Sequence, residues 1–285
     1  MNRLLAFLCI GVFLTGAALF MAAPAAMLAV QAVQGDEGGF TLDYLRALGE
    51  YRYAVAFENS LILSAVSALV GVGAGGLIAQ IVLKPSAPHW LRSAVTSFSA
   101  VAANFAGVPL AFAFVSTLGT LGLLTLALKS LGLDIYDLGF SLYSLSGLVL
   151  VYSYFQIPLM VIIITPALLG LREEWREACE NLGASPAQYW RLVGLPVLMP
   201  SLLSAFILLF GNAFSAYATA FALTSGNIGL LPTEIGNVLS GNVLASPQTG
   251  AALAALMIVV MAAVLGANTL ALRHAARWRG QGEKR

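Results

Sequence analysis

The sequence predicts an all-α membrane protein of six transmembrane helices, with one polar helical segment between the fourth and fifth. Two observations of composition point there first. Of 285 residues, 59% are hydrophobic and only 9% charged, and the mean hydropathy is +0.88. Soluble domains carry about a quarter charged residues, so the balance belongs to a polytopic membrane chain. The third observation is length: apolar runs of about 20 residues, enough to cross a bilayer core, recur six times. A net charge of +1 offers no basis for nucleic acid binding. The two cysteines, Cys9 and Cys179, read as small apolar fillers in membrane or cytoplasm, not as a disulfide framework.

The first span runs from about Leu4 to Val33. Arg3 before an apolar run, with small residues near Pro24, imitates a signal peptide. The run is far longer than an h-region of roughly 7–15 residues and reads as a membrane helix. The second span covers about Ser60 to Leu83, the third Ser93 to Thr117, the fourth Tyr143 to Leu169, the fifth Ser201 to Thr224, and the sixth Thr249 to Leu272. With no repeat, low-complexity tract or linker between them, the chain is expected to form a single membrane domain over residues 1–285. Its core is at about 58–272 and its polar loop at about 170–200.

Orientation follows from the basic residues. A cytoplasmic N-terminus places Arg3, Lys84, Arg92, Arg172, Arg176, Arg191, Arg273, Arg277, Arg279, Lys284 and Arg285 inside. Arg46, Arg52 and Lys129 stay outside, so 11 of the 14 basic residues lie within. The positive-inside rule then sets both termini in the cytoplasm, as an even number of spans requires. The outer loops are expected to be less regular. Residues 35–59 carry Asp36, Glu37, Asp43, Glu50 and Glu58 and a short helix near Tyr44, with Thr41 or Asp43 as its cap. Residues 118–142 carry Asp134 and Asp137. Their apolar stretch Leu121–Leu131 is too short to span and reads as an interfacial helix. The loop Gly226–Pro247 includes Glu234.

The polar segment, Gly170 to Pro200, is the main surface for meeting a soluble partner. From Glu173 to Leu182 it reads as an amphipathic helix, with Trp175, Cys179 and Leu182 at i, i+4 and i+7 between charged positions. Arg176 and Glu180 are spaced to pair, and Gly183 suits a left-handed residue just past the helix end. Ser185 as N-cap and Pro186 at the first helical position start a second helix. That helix is expected to end near Pro196, where a donor is missing.

One string here is unusually specific: Glu177-Ala178-Cys179, three positions, Gly183, nine positions, Val193, one position, Leu195-Pro196. It resembles the EAA signature of permease subunits in bacterial ATP-binding cassette importers fed by a binding protein. Cys179 stands where a second alanine is usual and Val193 where isoleucine is commoner; both keep size and polarity. Six spans, the island's place between the fourth and fifth, and the segment Phe40–Tyr44 extend the resemblance over most of the chain.

The resemblance implies a bacterial inner-membrane location and a coupling helix that docks on a cytoplasmic ATPase dimer. Docking falls to Glu177, Ala178 and Gly183, with Cys179 and Leu182 as apolar contacts and Pro196 as the entry to the membrane helices. It also implies a second permease subunit, with a heterodimer favoured, and an extracytoplasmic binding protein that selects the solute. The island sequence and proportions look nearest to the polyamine branch. Ferric iron, thiamine and aminoethylphosphonate remain alternatives. Eight outer acidic residues against three basic ones would tolerate a cationic cargo or serve the binding protein.

The residues agree that energy comes from elsewhere. None of Lys84, Lys129 and Lys284 stands in a phosphate-binding loop pattern, so ATP is expected on the partner subunit and no cofactor on this chain. His89 and His274 lack nearby cysteines, so no metal site is expected. No nucleophile elbow is present, and the chain is not expected to be an enzyme. Polar residues within spans mark the translocation path, because such groups need a partner or a wet cavity. They are Asn104; Gln156 with Tyr152, Ser153 and Tyr154; and Asn212, Ser215, Tyr217 and Thr219. Gln156 and Asn212 lead because amides are costly to bury unpaired. The competing role for all of them is joining helices. A secondary transporter would show inverted repeats and broken helices, neither visible in the sequence. A membrane enzyme would need an acid, base and nucleophile grouping that is missing.

Overall fold

Inside a bilayer every backbone N–H and C=O must be satisfied by the protein itself, and long apolar runs achieve this by coiling. A computed structural model shows the outcome for residues 3–35, 39–84, 87–240 and 247–280. Asp36, Glu37, Lys284 and Arg285 lie outside the described residues, as do the side chains of Arg3, Cys9, Arg273, His274, Arg277 and Arg279. Among the described residues there are fourteen α-helices and no strand, only an isolated bridge between Gln34 and Phe40.

The first half comprises α1 (Arg3–Gln31), α2 (Asp43–Ala47), α3 (Tyr51–Val70), α4 (Gly76–Val82), α5 (His89–Ala102), α6 (Val108–Leu118) and α7 (Leu123–Ser130). The second half comprises α8 (Leu145–Leu169), α9 (Glu173–Asn181), α10 (Pro186–Tyr189), α11 (Leu195–Ser215), α12 (Ala218–Thr224), α13 (Leu231–Leu239) and α14 (Pro247–Gly280). Two π-helical turns, Gly71–Gly75 and Trp190–Gly194, join α3 to α4 and α10 to α11 without a break. Six segments are long and apolar enough to cross a membrane: Ile10–Gln31, Tyr51–Val82, Val108–Ser130, Leu145–Leu169, Pro186–Ser215 and Pro247–Leu270.

The central helix is α8, which packs against α3, α4, α5 and α11. One apolar layer joins Ala68, Met160, Ile164, Leu209 and Phe214; a second joins Leu63, Leu110, Leu148, Tyr152 and Leu223. The π turn after α3 lets the backbone approach α8 closely. A Cβ on Gly75 would lie 2.5 Å from the Ile157 carbonyl oxygen and 2.7 Å from Met160 Cβ. By contrast α1 touches mainly α14 and leaves most of its apolar surface exposed, as suits a helix bathed in lipid.

Five expectations need correction. The helix foreseen over Ser93–Thr117 is two helices, interrupted between Ala102 and Val108, and the third crossing candidate lies further on, at Val108–Ser130. The interruption is held from outside: the Gly107 N–H donates to Thr219 Oγ1 at 2.7 Å, a bond between positions 112 residues apart. Broken helices are therefore present after all. The fifth span, placed at Ser201–Thr224, instead runs Pro186–Ser215, ends before Ala216, and resumes as α12.

The second island helix does not end near Pro196 either. Its π turn shifts the hydrogen-bond pattern just ahead of the proline, so the missing donor is absorbed and the helix continues. The second span starts earlier than Ser60, at Tyr51, where the polar residues Arg52 and Asn59 have partners across the fold.

Candidate functional site

The island folds largely as local chemistry dictates. α9 carries Glu173 and Glu174 in its first turn, where the helix dipole favours negative charge. Arg176 links Glu173 at 2.7 Å and Glu180 at 3.5 Å along one face. Arg172 lies 3.8 Å from Glu174. Glu177 is the exception: it is exposed and makes no ion pair among the described residues. Three acids of α9 thus have an arginine partner in place, two of them sharing Arg176, and one points its charge outward.

Gly183 closes α9 with φ +78°, and a Cβ there would meet nothing within 4 Å. The turn demands a backbone that glycine adopts freely, and the space around it is open. Ser185 then caps α10 in a reciprocal box with Gln188: the Gln188 N–H donates to Ser185 Oγ at 3.3 Å, and the Ser185 N–H to Gln188 Oε1 at 2.7 Å. At the corner, Ala178 and Gly183 are exposed, Cys179 is half-buried, and Leu182 is 87% exposed. Such an apolar side chain at the tip of a charged hairpin is a ready contact for another protein. Pro196 is exposed in the first turn of α11. The helix from Pro186 to Ser215 has 30 residues. At 1.5 Å per residue it is about 45 Å long, against a hydrocarbon core of about 30 Å, so it extends past the core into the headgroup region at its island end.

The polar residues within spans separate into two groups. Gln156 is fully buried, and its amide donates to the Leu209 carbonyl at 2.7 Å, joining α8 to α11. Its Oε1 has no partner among the described residues. Tyr152 is likewise buried and donates to the Ala216 carbonyl at 2.8 Å. Asn104, Asn212 and Ser215 are exposed. Asn104 donates back to the Ala100 carbonyl at 2.8 Å, and Ser215 to the Gly211 carbonyl at 2.9 Å, so these two are satisfied within their own helices. Tyr217 is half-buried, stacked on Phe221 at 5.2 Å and seated against Gly236. Asn104, Ser215 and Tyr217 sit at the two helix breaks, which the Gly107–Thr219 hydrogen bond ties together. Non-helical backbone at membrane depth is tolerated where it is buried in protein or lines water. The breaks thus gather exposed polar groups from α5 and α11 into one region.

The end of the bundle away from the island holds a cluster that sequence reasoning did not assemble. Glu234, only 4% exposed, accepts from Arg52. Asn59 Nδ2 donates to the Gly229 carbonyl at 3.1 Å, and the Leu231 N–H to Ser60 Oγ at 2.9 Å. Together they fasten α13 across the start of α3. Arg52 and Glu234 are 182 positions apart, so no local signal could pair them. The three basic residues at this end are each bonded to an acid: Arg46 to Asp43 at 3.7 Å, Arg52 to Glu234, and Lys129 to Asp134 at 2.9 Å. The Lys129 ammonium, with the Tyr136 N–H behind it, holds the Asp134 carboxyl below the usual carboxylate range. Glu50, Glu58 and Asp137 form no ion pair among the described residues, so this end keeps a net negative charge.

Comparison with known proteins supplies the lineage. A family profile described as "Binding-protein-dependent transport system inner membrane component" matches residues 109–279. The molybdenum transport system permease protein of Mycobacterium tuberculosis is 28% identical over 169 residues, covering 57% of this chain and 59% of that protein. A spermidine/putrescine transport system permease homologue of Mycoplasma pneumoniae is 26% identical over 196 residues, covering 67% and 61%. The chain therefore spans about three fifths of the length of the curated relatives it matches. Among solved structures, a chain of a bacterial ABC transporter that imports the acidic polysaccharide alginate superposes with a TM-score of 0.73 at 18% identity, over 96% of this chain and 95% of that one. With its profile match covering more than half of the residues, the chain belongs to the family of binding-protein-dependent transport system inner membrane components.

Proposed function

We propose that this chain is a permease subunit of an ATP-driven importer, lining part of the solute path and receiving work from a cytoplasmic ATPase through the α9–Gly183–α10 hairpin. The observation that carries the reading is the hairpin's form. It presents an unpaired Glu177 and an exposed Leu182 around a left-handed glycine, and it continues without a break into a membrane-crossing helix. Glu177 suits a charge-assisted contact with a basic group on the ATPase. Ala178, Cys179 and Gly183 allow close approach, and Pro196 marks where α11 begins. ATP binds on the partner. Both termini and the hairpin lie in the cytoplasm, in accord with the distribution of basic residues.

Two such hairpins are needed to engage an ATPase dimer, and a second, different permease supplies the other. The path runs past Asn104, Asn212, Ser215 and Tyr217 near the two breaks, with Gln156 holding α8 to α11 beside it. A binding protein docks at the opposite end, where the unpaired acids Glu50, Glu58 and Asp137 lie, and delivers the solute. A polyamine cargo is our reading. It draws on that negative charge and on the spermidine/putrescine relative; ferric iron, thiamine and aminoethylphosphonate are the other cargoes to test.

The decisive experiment is Gly183→Asp. Uptake and co-purification of the ATPase should be lost while membrane insertion stays normal; normal uptake in that variant would sink the coupling assignment. Cargo is settled on the binding protein. Titration with spermidine, ferric iron, thiamine and aminoethylphosphonate should give saturable binding with the polyamine, and saturation with one of the others instead would overturn that choice.

A further inference from the structure

We infer that the cavity between the island and the ends of α4 and α8 binds a phosphate group, carried by an anionic phospholipid of the adjoining leaflet. The cavity has a volume of about 440 Å³, within the range of roughly 300–1,000 Å³ usual for small-molecule sites. Its polar wall is made by Gln80 and Lys84 after α4, Arg172 and Arg176 from the island, and Tyr189 and Trp190 at the start of the α10–α11 rod. Leucines of α4 and α8 complete it. Three cations face one acid, Glu173.

Height in the membrane selects the ligand class. The crossing segments end at Val82 and Leu169 and begin again at Pro186. Gln80, Lys84, Arg172, Tyr189 and Trp190 therefore stand within four residues of a span end, the level at which lipid phosphates lie, and Arg176 reaches the cavity from α9. Basic pockets between helices at that level are suited to anionic headgroups, and a Trp and Tyr beside them match the interfacial preference of those rings.

The available donors point the same way. Arg172 and Arg176 are partly engaged by Glu174, Glu173 and Glu180. Lys84 makes no ion pair among the described residues. Tyr189 is only 7% exposed, and its hydroxyl, which stays accessible, makes no hydrogen bond among the described residues. An ammonium, a phenol and the Gln80 amide left free around one cavity form a donor set for a phosphate diester. Bound there, the headgroup would bridge the membrane helices to the island at its root.

Native mass spectrometry of the full chain, released from bilayers of phosphatidylcholine with graded phosphatidylglycerol, reads the site directly. Lipid retention is measured without transport, so its outcome is separable from that of the uptake assay. Wild type should keep one phosphatidylglycerol in preference to phosphatidylcholine. Lys84→Gln should weaken retention about fivefold, the effect of one charge at a membrane surface, and Tyr189→Phe should weaken it without altering the fold. Arg92→Gln, a cation at the same end but outside the cavity, should change nothing. If millimolar inorganic phosphate displaces the lipid from wild type but not from Lys84→Gln, the phosphate site stands and its source is soluble. No preference for phosphatidylglycerol, or equal retention by Lys84→Gln and Arg92→Gln, overturns the inference.

Discussion

Replacing Gly183 separates backbone demand from side-chain contact at the island's corner. The residue sits at φ +78° with no atom within 4 Å of where a Cβ would be. Alanine therefore meets no crowding in the free chain, and its whole cost is the left-handed backbone, about 1–2 kcal/mol. That energy lowers the population of the docking-competent turn roughly 5- to 30-fold. Asparagine tolerates the left-handed region and should cost less despite its larger side chain. Under the proposed function, the assay is the affinity of the purified chain for the partner ATPase, with thermal unfolding as the control for insertion and packing. Affinity should fall in the order glycine, asparagine, alanine, and the melting temperature should barely move. If asparagine is the worse of the two, the ATPase surface is reading side-chain bulk, and the backbone argument is refuted.

Packing predictions follow from the same structure. Gly75→Ala should destabilise by about 1–3 kcal/mol, since its Cβ meets the Ile157 carbonyl oxygen and Met160 Cβ. Gly73→Ala, with open space around it, should be neutral or slightly stabilising; equal effects at both sites would show that α4 does not pack on α8 as described. Arg52→Gln should cost more than Glu234→Gln, because the first leaves a buried carboxylate without its partner. The loss should be about 1–3 kcal/mol, below that of a fully buried pair, since the Arg52 side chain is half exposed. A double-mutant cycle in chemical unfolding checks it, and zero coupling would remove the pair's role in fastening α13. Gln156→Leu should lower stability by no more than about 1 kcal/mol, the net worth of one hydrogen bond. Transport per folded molecule should hold, and a selective loss of uptake would move Gln156 into the path.

What the sequence revealed and what it concealed divide by the range of the forces involved. The Gly183 turn and the Ser185–Pro186 start were legible because each is settled by bonds within four residues. So was the i,i+4 pair of Arg176 and Glu180. The breaks between α5 and α6 and after α11 were not legible. The Gly107 N–H is satisfied by Thr219, and the Ala216 carbonyl by Tyr152, 64 residues away. Hydropathy sees only the apolar composition of such segments, which is unchanged whether the helix is whole or bent. Pro196 misled for a related reason. In isolation a proline argues for a helix end, but a π turn ahead of it and packing around it allow the helix to pass through.

The island and the helix breaks, which looked unrelated in the sequence, are the two ends of one object. The continuous helix from Pro186 to Ser215 begins at the Ser185 cap and stops at the carbonyl of Ala216, held there by Tyr152. A helix is stiff along its axis, so a push at Ser185 arrives at Ser215 with little loss, about 45 Å away by helix rise. Beyond that point stiffness ends, and the next contact is the Thr219–Gly107 bond to the break in front of α6. A displacement entering at the hairpin is thus delivered to the region where Asn104, Ser215 and Tyr217 lie, and to few other polar groups of the bundle. Gln156, bonded to Leu209 partway along the rod, opposes sliding of α11 past α8. The apolar layer of Met160, Ile164, Leu209 and Phe214 holds the two helices together without that bond, so under the proposed function the rod moves with α8 and the change of shape falls on the breaks.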